Sequence, residues 1–176
     1  RLEHPNIARL FDAGMTDDGQ SYLVMEHIDG APIDAYCDGR QLSIHERLKL
    51  FLGVCAAVQS AHASLVIHRD LKPANILVRR DGAPILLDFG IAKALEPVDV
   101  TKGADERRTL GRLMTPDYAS PEQLRGDPLT VASDIFSLGV VLYQLLTGRL
   151  PHVTESGLYR DFERAVCDIE PTPPSR

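Results

Sequence analysis

Ile44, Leu48, Phe51, Cys55, Val58 and His62 recur three or four residues apart, the spacing of one face of a long amphipathic or buried helix. Ser43 stands just before this face and Glu46 follows three residues later, the pattern of a capping box. A second helical stretch runs to about Thr147 and stops at Gly148, with Thr130 or Ser133 available to cap its start. Its apolar run, Ile135 to Leu146, is interrupted by Ser137 and Gln144 and follows Asp134. It falls short of the roughly 18 apolar residues that suggest a membrane span, so it predicts a buried core helix. A weaker helix is predicted from about Ser156 to Cys167.

Between the helices the pattern shortens to β-like runs. Residues 7–13 and 21–26 flank a turn-like Asp17-Asp18-Gly19 and predict a hairpin. Asp29-Gly30-Ala31-Pro32 then breaks the pattern. Residues 65–67 are strand-like, and residues 76–78 and 85–87 flank Asp81-Gly82, a hairpin turn signal. From about Glu96 to Arg112 the chain is polar and reads as a solvated loop. Phe51, Leu52 and Val54 are expected in the core. The order of elements is an α+β plan dominated by helix.

Composition narrows the class. Apolar residues make up 44% of the 176 residues and charged residues 25%, which suits a globular domain and excludes wholesale disorder. Nineteen Lys and Arg against 25 Asp and Glu give a net charge of −6, the reverse of a nucleic-acid binder's basic excess. Cys37, Cys55 and Cys167 are odd in number and lack CxxC spacing. They read as inert fillers in a reducing, cytoplasmic compartment, with neither a disulfide framework nor a zinc site. The first residue is Arg1, no signal peptide is visible, and 170–176 read as a loop, so both ends are expected to be cut. Nothing in this segment suggests membrane contact, although an anchor elsewhere in a longer protein is compatible with it.

The sharpest chemistry lies in His68-Arg69-Asp70-Leu71-Lys72-Pro73-Ala74-Asn75. A carboxylate, an ammonium and a carboxamide stand at i, i+2 and i+5, just before a hairpin. Thirteen residues after Asn75 comes Asp88-Phe89-Gly90, at the hairpin's far end. Such a hairpin returns Asp88 to the side of Asn75. Two oxygen donors then meet, the set a hard Mg²⁺ accepts when it also holds phosphate oxygens. Gly90 allows a sharp turn after the metal ligand. Taken alone, His68 would read as a packed core histidine and the polar triad as a solvated turn.

These strings resemble the catalytic loop and metal-binding motif of protein kinases. Residues 115–122, Thr-Pro-Asp-Tyr-Ala-Ser-Pro-Glu, resemble the end of the kinase activation segment, and Asp134 in Ser133-Asp-Ile-Phe-Ser-Leu-Gly139 resembles the start of the central helix of the large lobe. Ala119-Ser-Pro-Glu-Gln123 and His4-Pro-Asn-Ile7 are similar to bacterial Ser/Thr kinases of the eukaryotic-like type. The resemblance covers nearly the whole chain and implies a protein-kinase-like α+β fold. Residues 1–28 would be the end of the small lobe and the hinge; 29–176 would be most of a mainly helical large lobe, without its final helices.

The resemblance implies a Ser/Thr protein kinase that uses ATP and Mg²⁺. Asp70 would orient the substrate hydroxyl and accept its proton, Lys72 would contact the γ-phosphate, and Asn75 and Asp88 would hold Mg²⁺. Thr115 would lie against Asp70 and Lys72. Met25 would be the gatekeeper, the backbone of Glu26 and Ile28 would face adenine, and Leu77 would floor its pocket. Leu10, His68 and Phe89 would stack in an apolar spine, and Asp134 would tie down the backbone near His68. Arg69 would pair with a phosphate on the activation segment, with Thr101 and Thr109 as candidates and Thr109, after Arg107-Arg108, the expected autophosphorylation site. Pro32 stands near the position of a common acidic ribose contact, which is left unassigned.

Met114 and Ser120 depart from the common pattern without touching the chemistry, and the arginine that usually pairs with a glutamate like Glu122 would lie after Arg176. A Gly-rich phosphate loop, its lysine strand and the partner glutamate would lie before Arg1, so this segment alone is expected to bind nucleotide weakly and to catalyse poorly. A protein substrate is implied, with autophosphorylation or dimerisation in a full-length protein. A pseudokinase or docking module is the alternative, against which the intact Asp70, Lys72, Asn75 and Asp88 weigh. A small-molecule kinase is disfavoured by the long activation segment ending in Pro121-Glu122.

Overall fold

The computed structural model describes residues 2–89, 116–154 and 159–175. The chain divides into two compact units, Arg1–His68 with Pro73–Asp99 and Arg69–Lys72 with Val100–Arg176. Among the described residues no helix is long and apolar enough to cross a membrane.

The first unit opens with an antiparallel hairpin, β1 (Leu10–Met15) and β2 (Ser21–Met25). The expected first strand starts late, because Ile7 is buried elsewhere and forms a single parallel bridge to Leu86. Three more strands form a sheet in the order β3-β4-β5: β3 (Gly30–Pro32), β4 (Ile76–Arg79) and β5 (Pro84–Leu86). The break expected at 29–32 is thus an edge strand, where proline removes no needed ladder bond. Pro32 also stands at the N-cap position of α1 (Ile33–Gly39) without a side-chain capping bond; sequence periodicity does not reveal this helix because only Ile33 and Cys37 of its seven residues are buried. The turn between β4 and β5 is as the sequence expects. Gly82 has φ +87° and Asp81 accepts from the Ala83 N–H at 3.0 Å.

Helix α2 (Ile44–Ala63) carries the expected capping box: the Ser43 hydroxyl accepts from the Glu46 N–H, and Glu46 accepts from the Ser43 N–H at 2.8 Å. The Ser43 hydroxyl also donates to the Glu46 carboxylate at 2.6 Å, and this bond, with the one from the Ser43 N–H, holds the Glu46 carboxyl below its ordinary pKa. Its buried face is Phe51, Val54, Ala57, Val58 and Ala61. Ile44, Leu48 and Leu52 are exposed, so the face expected from Ile44 onward is buried only from Phe51 and Leu52 is not core.

The strand expected at 65–67 is absent. Val66 N–H donates to Ala61 O and Leu65 N–H to His62 O, a Schellman closure of α2 with Leu65 at φ +60°. The turn leaves Leu65 93% exposed, so its apolar character misleads.

In the second unit a 3₁₀ turn (Pro116–Tyr118) leads into α3 (Pro121–Arg125), α4 (Val131–Thr147) and α5 (Tyr159–Asp168). Thr130 caps α4, and Ser133 is the third residue of the cap. Gly148 ends the helix at φ +70°. Ser133, Asp134, Ser137, Leu138, Val140, Val141 and Leu145 are buried, but Ile135 is exposed. Ala119, Leu124, Phe162 and Val166 form a core, with Phe136 and Tyr159 packed against it, and the Tyr159 hydroxyl donates to Leu124 O. The start expected for α5 at Ser156 lies outside the described residues, as do Gly90, Thr101, Thr109, Met114, Thr115 and the polar stretch 96–112.

Candidate active site

Asn75 and Asp88 belong to the first unit, and the strand register brings their backbones together. Ile76 pairs with Leu86 and Leu77 with Ile85. One step further along, Leu87 N–H donates to Asn75 O at 2.8 Å, and Asp88 is the next residue. Asn75 is buried, at the end of a 3₁₀ turn (Pro73–Asn75). Asp88 has φ +47°, a left-handed conformation that aspartate tolerates better than most side chains.

A carboxamide oxygen and a carboxylate at one sheet end are a sparse donor set. Sparse oxygen sites suit Mg²⁺, which keeps waters and substrate phosphates in its shell. No group of three or more His, Cys, Asp or Glu gathers among the described residues, so a denser cage of the zinc kind has no counterpart there.

His68 closes the same region. It is fully buried, and its Nε2 lies 2.7 Å from Leu87 O. A carbonyl only accepts, so Nε2 carries the hydrogen. Its ring meets Phe89 at 4.8 Å between centroids, tilted by 48°. Two members of the expected spine therefore touch; Leu10 is paired with Met25 in β1–β2 and is 42% exposed.

The residues expected around adenine also sit in the first unit. Met25 ends β2, and Glu26 N–H donates to Arg9 O at 2.8 Å. Ile28 is buried, and Leu77 lies in β4 between Pro32 and Ile85. The Glu26 carboxylate accepts from the Arg79 guanidinium at 2.6 Å, tying the segment after β2 to the end of β4. Sequence reading missed this pair, since two charges 53 residues apart carry no local signal.

Asp70 and Lys72 belong to the second unit and form an ion pair at 2.9 Å, each side chain about a quarter exposed. A carboxylate that can accept a proton and a cation that can seek phosphate are held together. Just before them, Arg69 has φ +70°. A non-glycine residue there costs about 1–3 kcal/mol and persists only where its surroundings fix it. Those surroundings are explicit. Arg69 N–H donates to buried Asp134 Oδ1 at 2.9 Å, so the tie expected of Asp134 falls on Arg69. Arg69 O accepts from Gln123 Nε2 at 2.7 Å.

Helix α3 forms because Ser120 caps it, Pro121 occupies its first position and Gln123 completes the box. It is tied to α4 by Ser133 Oγ, which donates to Glu122 at 2.5 Å, and Ser137 Oγ donates to Tyr118 O at 2.7 Å. Burial alone would raise the Glu122 carboxyl, but bonds from Ser133, its own backbone and Ser120 outweigh it and leave the pKa lowered. The three cysteine thiols are pushed up by burial, as inert fillers would be.

The chain matches the protein kinase domain family over residues 1–172. A probable serine/threonine-protein kinase of Corynebacterium efficiens is 40% identical over 179 residues, covering 99% of this chain and 26% of the relative. Serine/threonine-protein kinase PknB of Mycobacterium leprae is 36% identical over 180 residues, 99% of this chain and 28% of the relative. Serine/threonine-protein kinase PrkC of Bacillus subtilis is 40% identical over 158 residues, 89% of this chain and 23% of the relative. The chain spans about a quarter of the length of the curated relatives it matches.

Proposed function

This chain belongs to the protein kinase domain family, and from that premise we propose that it carries the transfer of the ATP γ-phosphate to a serine or threonine hydroxyl of a protein. The supporting observation is the run from Asp70 to Asp88: an Asp70–Lys72 ion pair, then a hairpin whose register returns the chain to Asn75 at Leu87. Asp70 orients the substrate hydroxyl and takes its proton as the oxygen attacks the γ-phosphorus and the bond from that phosphorus to the bridging oxygen of ADP breaks. Lys72 stabilises the charge that develops on the transferred group. Asn75 and Asp88 would hold Mg²⁺, which when bound neutralises phosphate charge. Met25, Glu26, Ile28 and Leu77 receive adenine. Little covalent chemistry falls to the protein, so positioning supplies most of the rate.

In this reading residues 1–28 are the end of the small lobe with the hinge, and 29–176 are most of the large lobe. Arg69 would pair with a phosphate on Thr109, and Thr115 would have a substrate-facing role; both threonines lie outside the described residues. The Ser/Thr assignment agrees with the names of the relatives.

The test uses the full-length protein with Mg·ATP. Phosphates are counted and located by mass spectrometry beside Asp70→Asn. Phosphothreonine or phosphoserine in the parent and none in the variant is the expected result. No phosphate in either, with nucleotide still bound, would instead leave a docking module without phosphoryl transfer.

A further inference from the structure

We propose that Gln123 is a positioning residue for the transfer reaction: its side-chain amide grips the backbone immediately before Asp70 and so aims the base. The proposal rests on the reading of Asp70 given above. Its basis is the pair of hydrogen bonds that flank the Arg69 Cα. On one side the Arg69 N–H donates to Asp134 Oδ1 at 2.9 Å; on the other the Arg69 carbonyl accepts from Gln123 Nε2 at 2.7 Å. With both neighbouring peptides held, the two soft dihedrals of Arg69 are fixed, and φ stands at +70°. Asp70 Cα is bonded to the peptide that Gln123 holds, so its direction follows from that grip.

Gln123 uses its two ends for different tasks. Its Oε1 accepts from the Ser120 N–H at 3.0 Å, which is the cap of α3, and its Nε2 donates to Arg69 O. The partner carbonyl is 54 residues away in the chain. Helix α3 is itself fastened to α4 through Glu122 and Ser133, and α4 supplies Asp134. Both arms that close on Arg69 therefore grow from one framework. Any displacement of α3 relative to α4 would pull on the Arg69 carbonyl and turn Asp70.

Glutamate separates the two tasks. It is the usual partner in a capping box, so Gln123→Glu keeps the acceptor for Ser120 N–H. It has no hydrogen to give to Arg69 O. A residue that only caps α3 would tolerate the change; a residue that aims Asp70 would not. In the full chain, Gln123→Glu is expected to keep the parent's KM for ATP while kcat per folded molecule falls about 10- to 100-fold, the scale of a small misplacement of a reacting group. Gln123→Met, which loses donor and acceptor together, is expected to match the glutamate variant in kcat and to melt lower.

An independent readout is amide hydrogen exchange. The Arg69 and Asp70 amides should exchange about tenfold faster in Gln123→Glu, while amides in α4 keep the parent's rates. Undiminished kcat with unchanged exchange at Arg69 overturns the proposal. A parent that transfers no phosphate sinks the functional reading instead, and the exchange rates then still decide whether Gln123 grips this peptide.

Discussion

The β4–β5 hairpin and the 69–72 loop each hold two residues of the proposed chemistry, and they are built in opposite ways. The hairpin sets Asn75 and Asp88 through main-chain pairing, continuous from Val78 opposite Pro84 to Asn75 O with Leu87 N–H. Its side chains fill a core; Ile76, Val78, Ile85 and Leu86 are each no more than 1% exposed. The loop has no ladder. Side chains from elements 54 and 65 residues away hold its backbone at Arg69, which, like Asp88, sits at positive φ. Main-chain pairing survives most single substitutions, because every residue but proline offers the same donor and acceptor. A side-chain grip is lost with one.

Ile76→Ala is the harshest test of the first half of that contrast. The side chain is fully buried, and its truncation is expected to cost about 2–5 kcal/mol in stability. The register should survive, so kcat per folded molecule and KM for Mg·ATP should match the parent. Urea unfolding and steady-state kinetics on the full chain check both parts. A collapse of kcat in the folded fraction would mean that core packing, not pairing, sets Asn75 and Asp88.

Asp134→Ala should invert the pattern. The carboxylate is 1% exposed, and removing it leaves the Arg69 N–H without its acceptor, at a cost of about 1–3 kcal/mol. Here kcat is expected to fall about 100-fold because the residue before Asp70 is released. Equal kcat in parent and variant would show that the loop holds its shape without the side-chain grip.

The same contrast explains what could be read from the sequence. Asp81-Gly82, the cap at Ser43 and the end of α4 at Gly148 follow from local rules, and the structure contains each; of the two residues offered for the α4 cap it uses Thr130. The strand at Gly30–Pro32 does not. It exists through edge pairing with β4, and the chains approach so closely that a Cβ on Gly30 would meet Val78 O at 2.7 Å. Sequence shows only a glycine and a proline, which signal a break. Leu65 misled for the converse reason, since three apolar residues look like a strand wherever a helix happens to close. The strings around Asp70 and Asp88 are legible as chemistry because their residue types and spacing stand within one short stretch. Gln123 was legible only as part of a family string. Its spacing from Ser120 signals a cap, but nothing near it in sequence points to the carbonyl of Arg69.

A gentler probe of the side-chain framework is its response to acid. Glu122 has a lowered pKa in the folded chain, against an ordinary value of 4.5. The folded state thus binds its proton less readily than the unfolded state. The stabilisation is complete above about pH 4.5 and fades as pH falls through the lower folded value. Because the carboxylate is partly exposed, solvent screening holds this to about 0.5 kcal/mol or less. Ser133→Ala removes the 2.5 Å donor and should move the Glu122 pKa back up, flattening this part of the acid limb. The variant will melt lower at neutral pH, since Ser133 also completes the cap of α4. The informative quantity is therefore the drop in Tm between about pH 6 and pH 3.5, smaller in Ser133→Ala than in the parent. Identical drops would show that the serine hydroxyl does not hold the Glu122 charge, and that α3 is fastened to α4 by its other contacts.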